Sequence, residues 1–369
     1  MNKKLLALAV AGALSVPAIA LADTSNVVIY GQANPSIDFV DGGSGSTASA
    51  DRRVRIGSNN SHIGFKGTED LGNGLNAIWQ YEQSFSLDEQ PLGNIGVSDT
   101  TNTQSKRNTW AGLSSKAWGA LTFGLQDTPV KTSTGRLDVF GNTLADYRNI
   151  MGSLGGSIRA ENSLQYVTPK FGGFQGKVLW AARNEGGAAS GINEAKFWSA
   201  SVDWSTGPIF AVLAHERGET ANTTPTSPFV ELDTTRLGFG YNFGNTRLGL
   251  AFERSDSDSS AAGADFKRNA WYLSAAHKMG SNTIKAAFTN AGDRKGDAGV
   301  ADSGAKHISV GFSHAFSKRT EMYALYTTVR NDSAGTYALA GGATGIAGVS
   351  ASGAGEDPRG ISIGLSHKF

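Results

Sequence analysis

Gly360-Ile361-Ser362-Ile363-Gly364 spells the G-x-S-x-G of a serine nucleophile. That motif works on a sharp strand-to-helix turn that exposes the hydroxyl. Here Ile361, Ile363 and Leu365 alternate with Ser362, Gly364 and Ser366 up to the terminal Phe369, so the match lies inside a strand. The histidines His62, His215, His277, His307, His314 and His367 lack H-E-x-x-H spacing, and neither G-x-x-x-x-G-K-[ST] nor a strand-opened G-x-G-x-x-G occurs. Cysteine is absent, which removes thiolate ligands and disulfides together. No enzyme activity, metal or cofactor is expected.

What remains is charge, concentrated where the chain stops reading as strand. From Asp127 to Glu161 the basic residues Lys131, Arg136, Arg148 and Arg159 face the acidic Asp127, Asp138, Asp146 and Glu161. Pro129, Gly135, Gly141, Gly152, Gly155 and Gly156 break any period across residues 127–160. A segment that long without its own regular structure is functional or disordered. Its anchors Leu137, Val139, Phe140, Leu144, Tyr147, Ile150, Met151 and Leu154 argue for order, because disordered linkers lack them.

The elements around it read as strands. Leu237, Phe239, Tyr241 and Phe243 alternate with Arg236, Gly238, Gly240 and Asn242; Leu248, Leu250 and Phe252 then oppose Arg247, Gly249 and Glu253, across the tight turn at Gly244-Asn245-Thr246. The same alternation recurs at 284–289, 308–313 and 361–369. One face of such strands meets an apolar phase. Short turns near 70–74, 116–119, 172–173, 205–208, 244–246, 280–281 and 317–318 alternate with long polar connections. The long ones are 41–51, 87–105, 127–160, 184–194, 218–232, 255–265, 292–304 and 331–358. Tight turns at one end and long loops at the other mark an outer-membrane barrel, all-β and antiparallel, of about sixteen strands. A soluble β-sandwich alternates too, but its connections do not sort by end.

The chain's start fixes the compartment. Lys3 and Lys4 precede an apolar run from Leu5 to Leu21 ending in Ala20-Leu21-Ala22, the pattern of a cleaved signal peptide over 1–22 with a mature domain at 23–369. Losing Lys3 and Lys4 takes the basic residues from 33 to 31 against 32 acidic ones, a net charge near −1. So even a balance excludes nucleic acid as a bulk electrostatic partner. Glycine, 48 residues, is spread among aromatics, a device for fitting curved strands. Tyr30, Phe39, Trp79, Phe85, Trp110, Trp118, Trp180, Trp198, Trp204, Trp271 and the terminal Phe369 sit near strand ends, where an interfacial belt is expected.

Parity assigns the wall. Val54 and Ile56 facing lipid turn Arg53 and Arg55 inward; Ile63 and Phe65 facing lipid turn His62 and Lys66 inward, and the change of parity requires a bulge across 57–61. With residues 127–160 lying in the bore, these cations would face the loop's charges. Asp138 and Asp146 are read as the acidic side of a transverse dipole, with Arg148, Arg159 and Glu161 beside them. A narrow low-dielectric passage strengthens such a field.

The stretch IGFKGTEDLGNGLNAIWQ at 63–80, KRNTWAGLSSKAWGALTFGLQDT at 106–128, NSLQYVTPKFGGF at 162–174 and the terminal GLSHKF resemble a general porin of the neisserial and burkholderial, beta-proteobacterial type. The resemblance spans nearly the whole mature chain. It implies a sixteen-stranded, homotrimeric, water-filled barrel for passive diffusion of ions and small hydrophilic solutes, with its third external loop, here 127–160, folded inward as an eyelet. It also implies an outer-membrane setting with lipid and lipopolysaccharide around the barrel, and delivery to the barrel assembly machinery through Phe369. The family's wall arginines are replaced here by His62, Leu125 and Gln165, so the resemblance leaves ion preference open. The rival readings are a substrate-selective channel and a barrel whose outer loops bind ligands as an adhesin.

Overall fold

The computed structural model of the chain describes residues 26–43, 52–87, 106–182, 196–219, 230–259, 265–296, 299–339 and 353–369. The expected signal segment 1–22 lies outside them. Eighteen hydrogen-bonded segments form a single antiparallel sheet. Two pairs of these are single strands interrupted once, which leaves sixteen. β1 (Asn26–Ala33 and Pro35–Asp41) breaks at Asn34, and β2 (Arg53–Ser58 and His62–Gly72) breaks across 59–61. There follow β3 (Leu75–Ser84), β4 (Lys106–Ser115), β5 (Gly119–Asp127), β6 (Arg159–Val167), β7 (Phe174–Ala182) and β8 (Lys196–Thr206). The second half comprises β9 (Ile209–Glu219), β10 (Val230–Phe243), β11 (Thr246–Ser259) and β12 (Phe266–Met279). It ends with β13 (Asn282–Ala291), β14 (Ala305–Ala315), β15 (Thr320–Asn331) and β16 (Arg359–Lys368).

Each strand pairs with its sequence neighbour, and β16 returns to β1, so the sheet closes. Closure leaves no backbone edge to meet lipid. The last residue takes part: Phe369 and Gly31 exchange backbone hydrogen bonds at 3.0 and 3.1 Å. No helix among the described residues is long and apolar enough to cross a membrane, so the strands must do it.

The alternation resolves as expected. Leu237, Phe239 and Phe243 point out of the barrel, while Arg236 immediately before them is wholly buried inside. The expected bulge in β2 is the break at 59–61, where Asn60 adopts φ 57°. It keeps Arg55 and His62 on the same inner face although an odd number of positions separates them. Glycines do sit under aromatics: an added Cβ would fall 2.3 Å from the Tyr30 ring at Gly64 and 2.3 Å from the Tyr323 ring at Gly364. Trp79, Trp118, Trp180, Trp198 and Trp271 are exposed on the outside. Two members of the expected belt are corrected. Tyr30 lies inside, opposite Gly64, and donates to Glu82 at 3.0 Å; Trp110 is opposite Gln80 on the inner face.

The apolar core is unusual in its place. It lies inside the barrel, between residues 137–151 and the inner wall. Leu137, Val139, Phe140, Leu144, Tyr147, Ile150 and Met151 are all buried there against Phe210, Val212, Tyr272, Tyr323, Leu325 and Val329. Each such side chain contributes about 1.5–3 kcal/mol of transfer free energy. The wall makes room by thinning to glycine: a Cβ at Gly240 would lie 2.9 Å from Leu137, at Gly311 2.7 Å from Phe140, and at Gly360 2.6 Å from Leu144.

Candidate functional site

Residues 128–158, which connect β5 to β6, fold into the bore. The segment opens with a one-turn helix α1 (Pro129–Ser133), capped by the Thr128 hydroxyl, which accepts from the Lys131 N–H. Two 3-10 turns follow at Gly135–Leu137 and Tyr147–Asn149. Polar contacts tie the loop to the wall all round. The Val130 N–H donates to Ser199 on β8 at 3.2 Å, Ser274 on β12 donates to the Leu137 carbonyl at 2.8 Å, and Asn34 in the β1 break donates to the Asn142 carbonyl at 2.9 Å.

The strongest tie was not read from sequence. Glu253 on β11 sits between Arg236 on β10 and Arg268 on β12, all three with fully buried side chains, at 2.7 and 2.5 Å. The trio then reaches into the loop. Glu253 accepts the Gly152 N–H at 3.0 Å, Arg236 donates to the Val130 carbonyl and Ser157, and Arg268 donates to the Ile150 carbonyl and Ser153. A buried carboxylate between two guanidiniums is held by complementary charge and by hydrogen bonds to the loop backbone.

Asp138 and Asp146 do not present an acidic face to the bore, and that expectation is corrected. Asp146 has no exposed surface. It caps the second 3-10 turn by accepting the Arg148 N–H, accepts the Asn142 N–H, and grips the Arg148 guanidinium at 2.9 and 2.6 Å. Asp138 accepts the Phe140 and Tyr147 N–H groups and the Tyr272 hydroxyl. Burial, with the Asp146 carboxylate second, pushes its pKa up to about 7. Short acids bind their own backbone readily, and here both are spent on the loop's internal shape.

The loop's cations reach a different neighbourhood. Lys131 pairs with Asp127 at 2.7 Å, and Arg159 pairs with the same carboxylate at 2.9 Å. Arg148 works against burial, but Asp146 outweighs that and holds its pKa above the ordinary guanidinium value. Arg159 lies within electrostatic reach of Arg107, Glu82 and Arg148, and His62 within reach of Arg107, Glu82 and Arg159. Arg107 itself donates to Glu82 and Asn60. The cluster therefore holds four fixed cations, Lys131, Arg148, Arg159 and Arg107, against the acids Asp127, Asp146 and Glu82.

The remaining wall candidates fall as follows. Arg55 pairs with Asp38 on β1 at 3.3 Å, and Arg53 is half-buried one inward position earlier on β2. Lys66 is exposed on the inner face with its ammonium 5.1 Å from the Tyr30 ring centroid. Gln165 stands in a neutral network, donating to Gln126 at 3.0 Å. Glu161 is exposed where β6 carries an extra residue between Ala160 and Ser163. Towards the short-turn end, Arg247, Lys285 and Lys368 converge with Glu321, with Asp138 of the loop also within electrostatic reach of Lys285, so three cations meet two acids there.

A closed barrel with a loop lodged in its bore is the architecture of a known family, whose model, described as Gram-negative porin, matches residues 7–334. The chain is a Gram-negative porin. It is similar to outer membrane porin protein 32 of Delftia acidovorans, at 28% identity over the full length of both chains. It is also similar to the major outer membrane protein P.IB of Neisseria lactamica, at 26% identity over 87% of this chain and 91% of that one. Among solved structures, the anion-selective porin from Comamonas acidovorans superposes with a TM-score of 0.76 at 26% identity, over 94% of this chain and all of that one. OmpF of Salmonella typhi shares the fold at 15% identity, with a TM-score of 0.67. The porin is accordingly an outer-membrane channel for passive diffusion and not an enzyme.

Proposed function

We propose that residues 127–160 constrict the channel, that Lys131, Arg148 and Arg159 with the wall residues Arg107 and His62 line the passage, and that small anions pass in preference to cations. One observation carries this reading: Asp138 and Asp146 are folded into the loop's own backbone, while Lys131, Arg148 and Arg159 collect on the side facing β2 to β6, with Arg136 apart over Phe210 on β9. Arg53, Arg55 and Lys66 extend the positive wall, and Gln165 supplies a neutral stretch. Arg247, Lys285 and Lys368 continue the cationic path beyond the loop. A low-dielectric passage magnifies the excess. Conduction is kept by modest affinity, since most of these cations are already paired.

The anion selectivity named for the Comamonas porin supports the same direction. The family relation also supports a homotrimer set in lipid and lipopolysaccharide, removal of 1–22, and recognition of Phe369 by the barrel assembly machinery. The test is the zero-current potential in planar bilayers under a KCl gradient. Wild type should give the sign of a chloride preference, and Lys131→Glu with Arg148→Glu should bring it towards zero or reverse it. An unchanged potential in that double variant would remove both residues from the passage.

A further inference from the structure

Three long connections meet above the docked loop and enclose a cavity at the mouth of the barrel. Its volume is about 380 Å³. Arg148, Ser153 and Leu154 of the inserted loop line one side; Arg294, between β13 and β14, and Tyr337 and Ala338, between β15 and β16, line the other. Two guanidiniums face this space and no carboxylate does.

Arg148 is partly engaged, because its Nε and one terminal nitrogen hold Asp146; the other terminal nitrogen keeps its donors. Arg294 forms no ion pair among the described residues, and its Nε is buried with no acceptor among them. Its guanidinium carbon lies 5.6 Å from the Phe266 ring centroid. Its backbone is pinned as well: the N–H donates to Ser303 at 2.9 Å, and the carbonyl accepts the Val300 N–H at 3.1 Å. The acids of the same mouth stand outside the cavity. Asp293 accepts the Gly304 N–H, Asp302 accepts the Ser333 hydroxyl, Asp357 accepts the Asn331 N–H and Asp265 accepts the Ser259 N–H. Glu356 packs beside Gly43 and Asp332 beside Gly304. Asp302 and Asp332 are exposed, as are Lys295, Lys306 and Arg330, so the rim is mixed in sign and the positive charge is local to the cavity.

The apolar part of the lining is held as firmly. The Tyr337 backbone exchanges hydrogen bonds with the Asn331 amide at 2.9 and 3.0 Å, and its hydroxyl accepts from Arg268 at 3.1 Å. Ser153 accepts from the same guanidinium at 2.7 Å. Two residues beyond Tyr337, Leu339 is fully buried in the inner core. The cavity therefore stands on the Arg236–Glu253–Arg268 latch, and little of its lining has to be ordered when a ligand arrives.

We propose that this cavity is a binding subsite for a small aromatic carboxylate, the carboxylate between Arg294 and Arg148 and the ring on Tyr337 and Leu154. Planar guanidiniums match a carboxylate with paired N–H donors, and aromatic rings stack with an offset. The volume falls within the range of roughly 300–1,000 Å³ found for small-molecule pockets. A bare inorganic anion would engage the guanidiniums and leave Tyr337, Leu154 and Ala338 uncovered. The inference rests on the anion-passage reading and adds a solute class held at the entrance. Because Arg148 also lines the passage, a bound carboxylate sits over its outer end and lowers chloride current while it stays.

The test is ligand-observed saturation-transfer NMR of the detergent-purified full chain titrated with benzoate, alongside chloride current in planar bilayers with benzoate on the long-loop side. Wild type should show transfer to the ring protons and a concentration-dependent fall in current. Arg294→Ala should weaken benzoate about tenfold or more, the weight of one charge-assisted hydrogen bond, and Arg294→Lys should recover part of the loss. Lys295→Ala removes the neighbouring charge without touching the lining and should bind as wild type does. Acetate, which lacks the ring, and benzamide, which lacks the charge, should both bind more weakly. Equal affinity of wild type and Arg294→Ala for benzoate, or acetate or benzamide binding as well as benzoate, would overturn the proposal. A chloride preference in wild type with no benzoate signal strikes the subsite alone. Benzoate bound to a wild type without chloride preference strikes the passage reading alone.

Discussion

Glu253→Ala is the perturbation that most sharply separates loop docking from barrel stability. The substitution removes a carboxylate that satisfies Arg236, Arg268 and the Gly152 N–H at once, and leaves two guanidiniums with no exposed surface and no ion-pair partner among the described residues, Glu216 reaching Arg236 only at longer range. Removing one partner of a buried pair costs about 3–5 kcal/mol. At about 1.4 kcal/mol per tenfold, the undocked state of the loop gains between roughly a hundredfold and a few thousandfold in population. The cost falls on the loop, because the ladder from β10 to β12 is made by backbone groups that the side chain does not touch. Hydrogen exchange read by mass spectrometry should show faster exchange across 150–157 with β10, β11 and β12 still protected, and single-channel records should show added open-state noise. Glu253→Gln, which keeps an acceptor, should lie between. Wild-type exchange across 150–157 in Glu253→Ala would refute the latch.

Three further outcomes follow from the same geometry. Asp138 has a native pKa of about 7, above the ordinary carboxylate range, so its contribution is complete at low pH and is lost as pH rises through about 7. Once corrected for the base-catalysed intrinsic rate, loop amides should be better protected at pH 5 than at pH 8.5, and Asp138→Asn should flatten that difference. Gly311→Val places a Cβ 2.7 Å from Phe140; overpacking of about 1–3 kcal/mol should loosen the loop and show as altered conductance with the barrel intact. Deleting Phe369 removes two backbone bonds to Gly31 at the closing seam, and refolding yield in detergent should fall.

The fold was legible because a closed sheet in lipid leaves a strict period of two, as in 236–253, and because turn and loop lengths sort by end. Parity also found the inner positions of Arg55, His62 and Lys66, and even the bulge in β2. It failed where the register slips. Between Tyr81 and Gln83 of β3 the partner strand carries one extra residue, so Arg107, which unbroken alternation would send outward, turns in to Glu82. Arg236 and Glu253 could be placed opposite each other from the hairpin alone. That they hold a loop 79 to 106 residues earlier in the chain could not, because the contact depends on how the loop folds back. Asp138 and Asp146 misled for a related reason: counting charges along a segment ignores the backbone N–H groups that compete for short carboxylates.

The measurement that bears most directly on the water path through the bore uses the absence of cysteine from the chain. Single cysteines at Lys131, Arg148 and Asp138 would be challenged in planar bilayers with a negatively charged methanethiosulfonate while current is recorded. Lys131→Cys and Arg148→Cys should react and lower chloride current stepwise, whereas Asp138→Cys, walled in behind Tyr272 and Tyr147, should be silent. Silence at both cation positions, or rapid reaction at 138, would contradict the proposed passage.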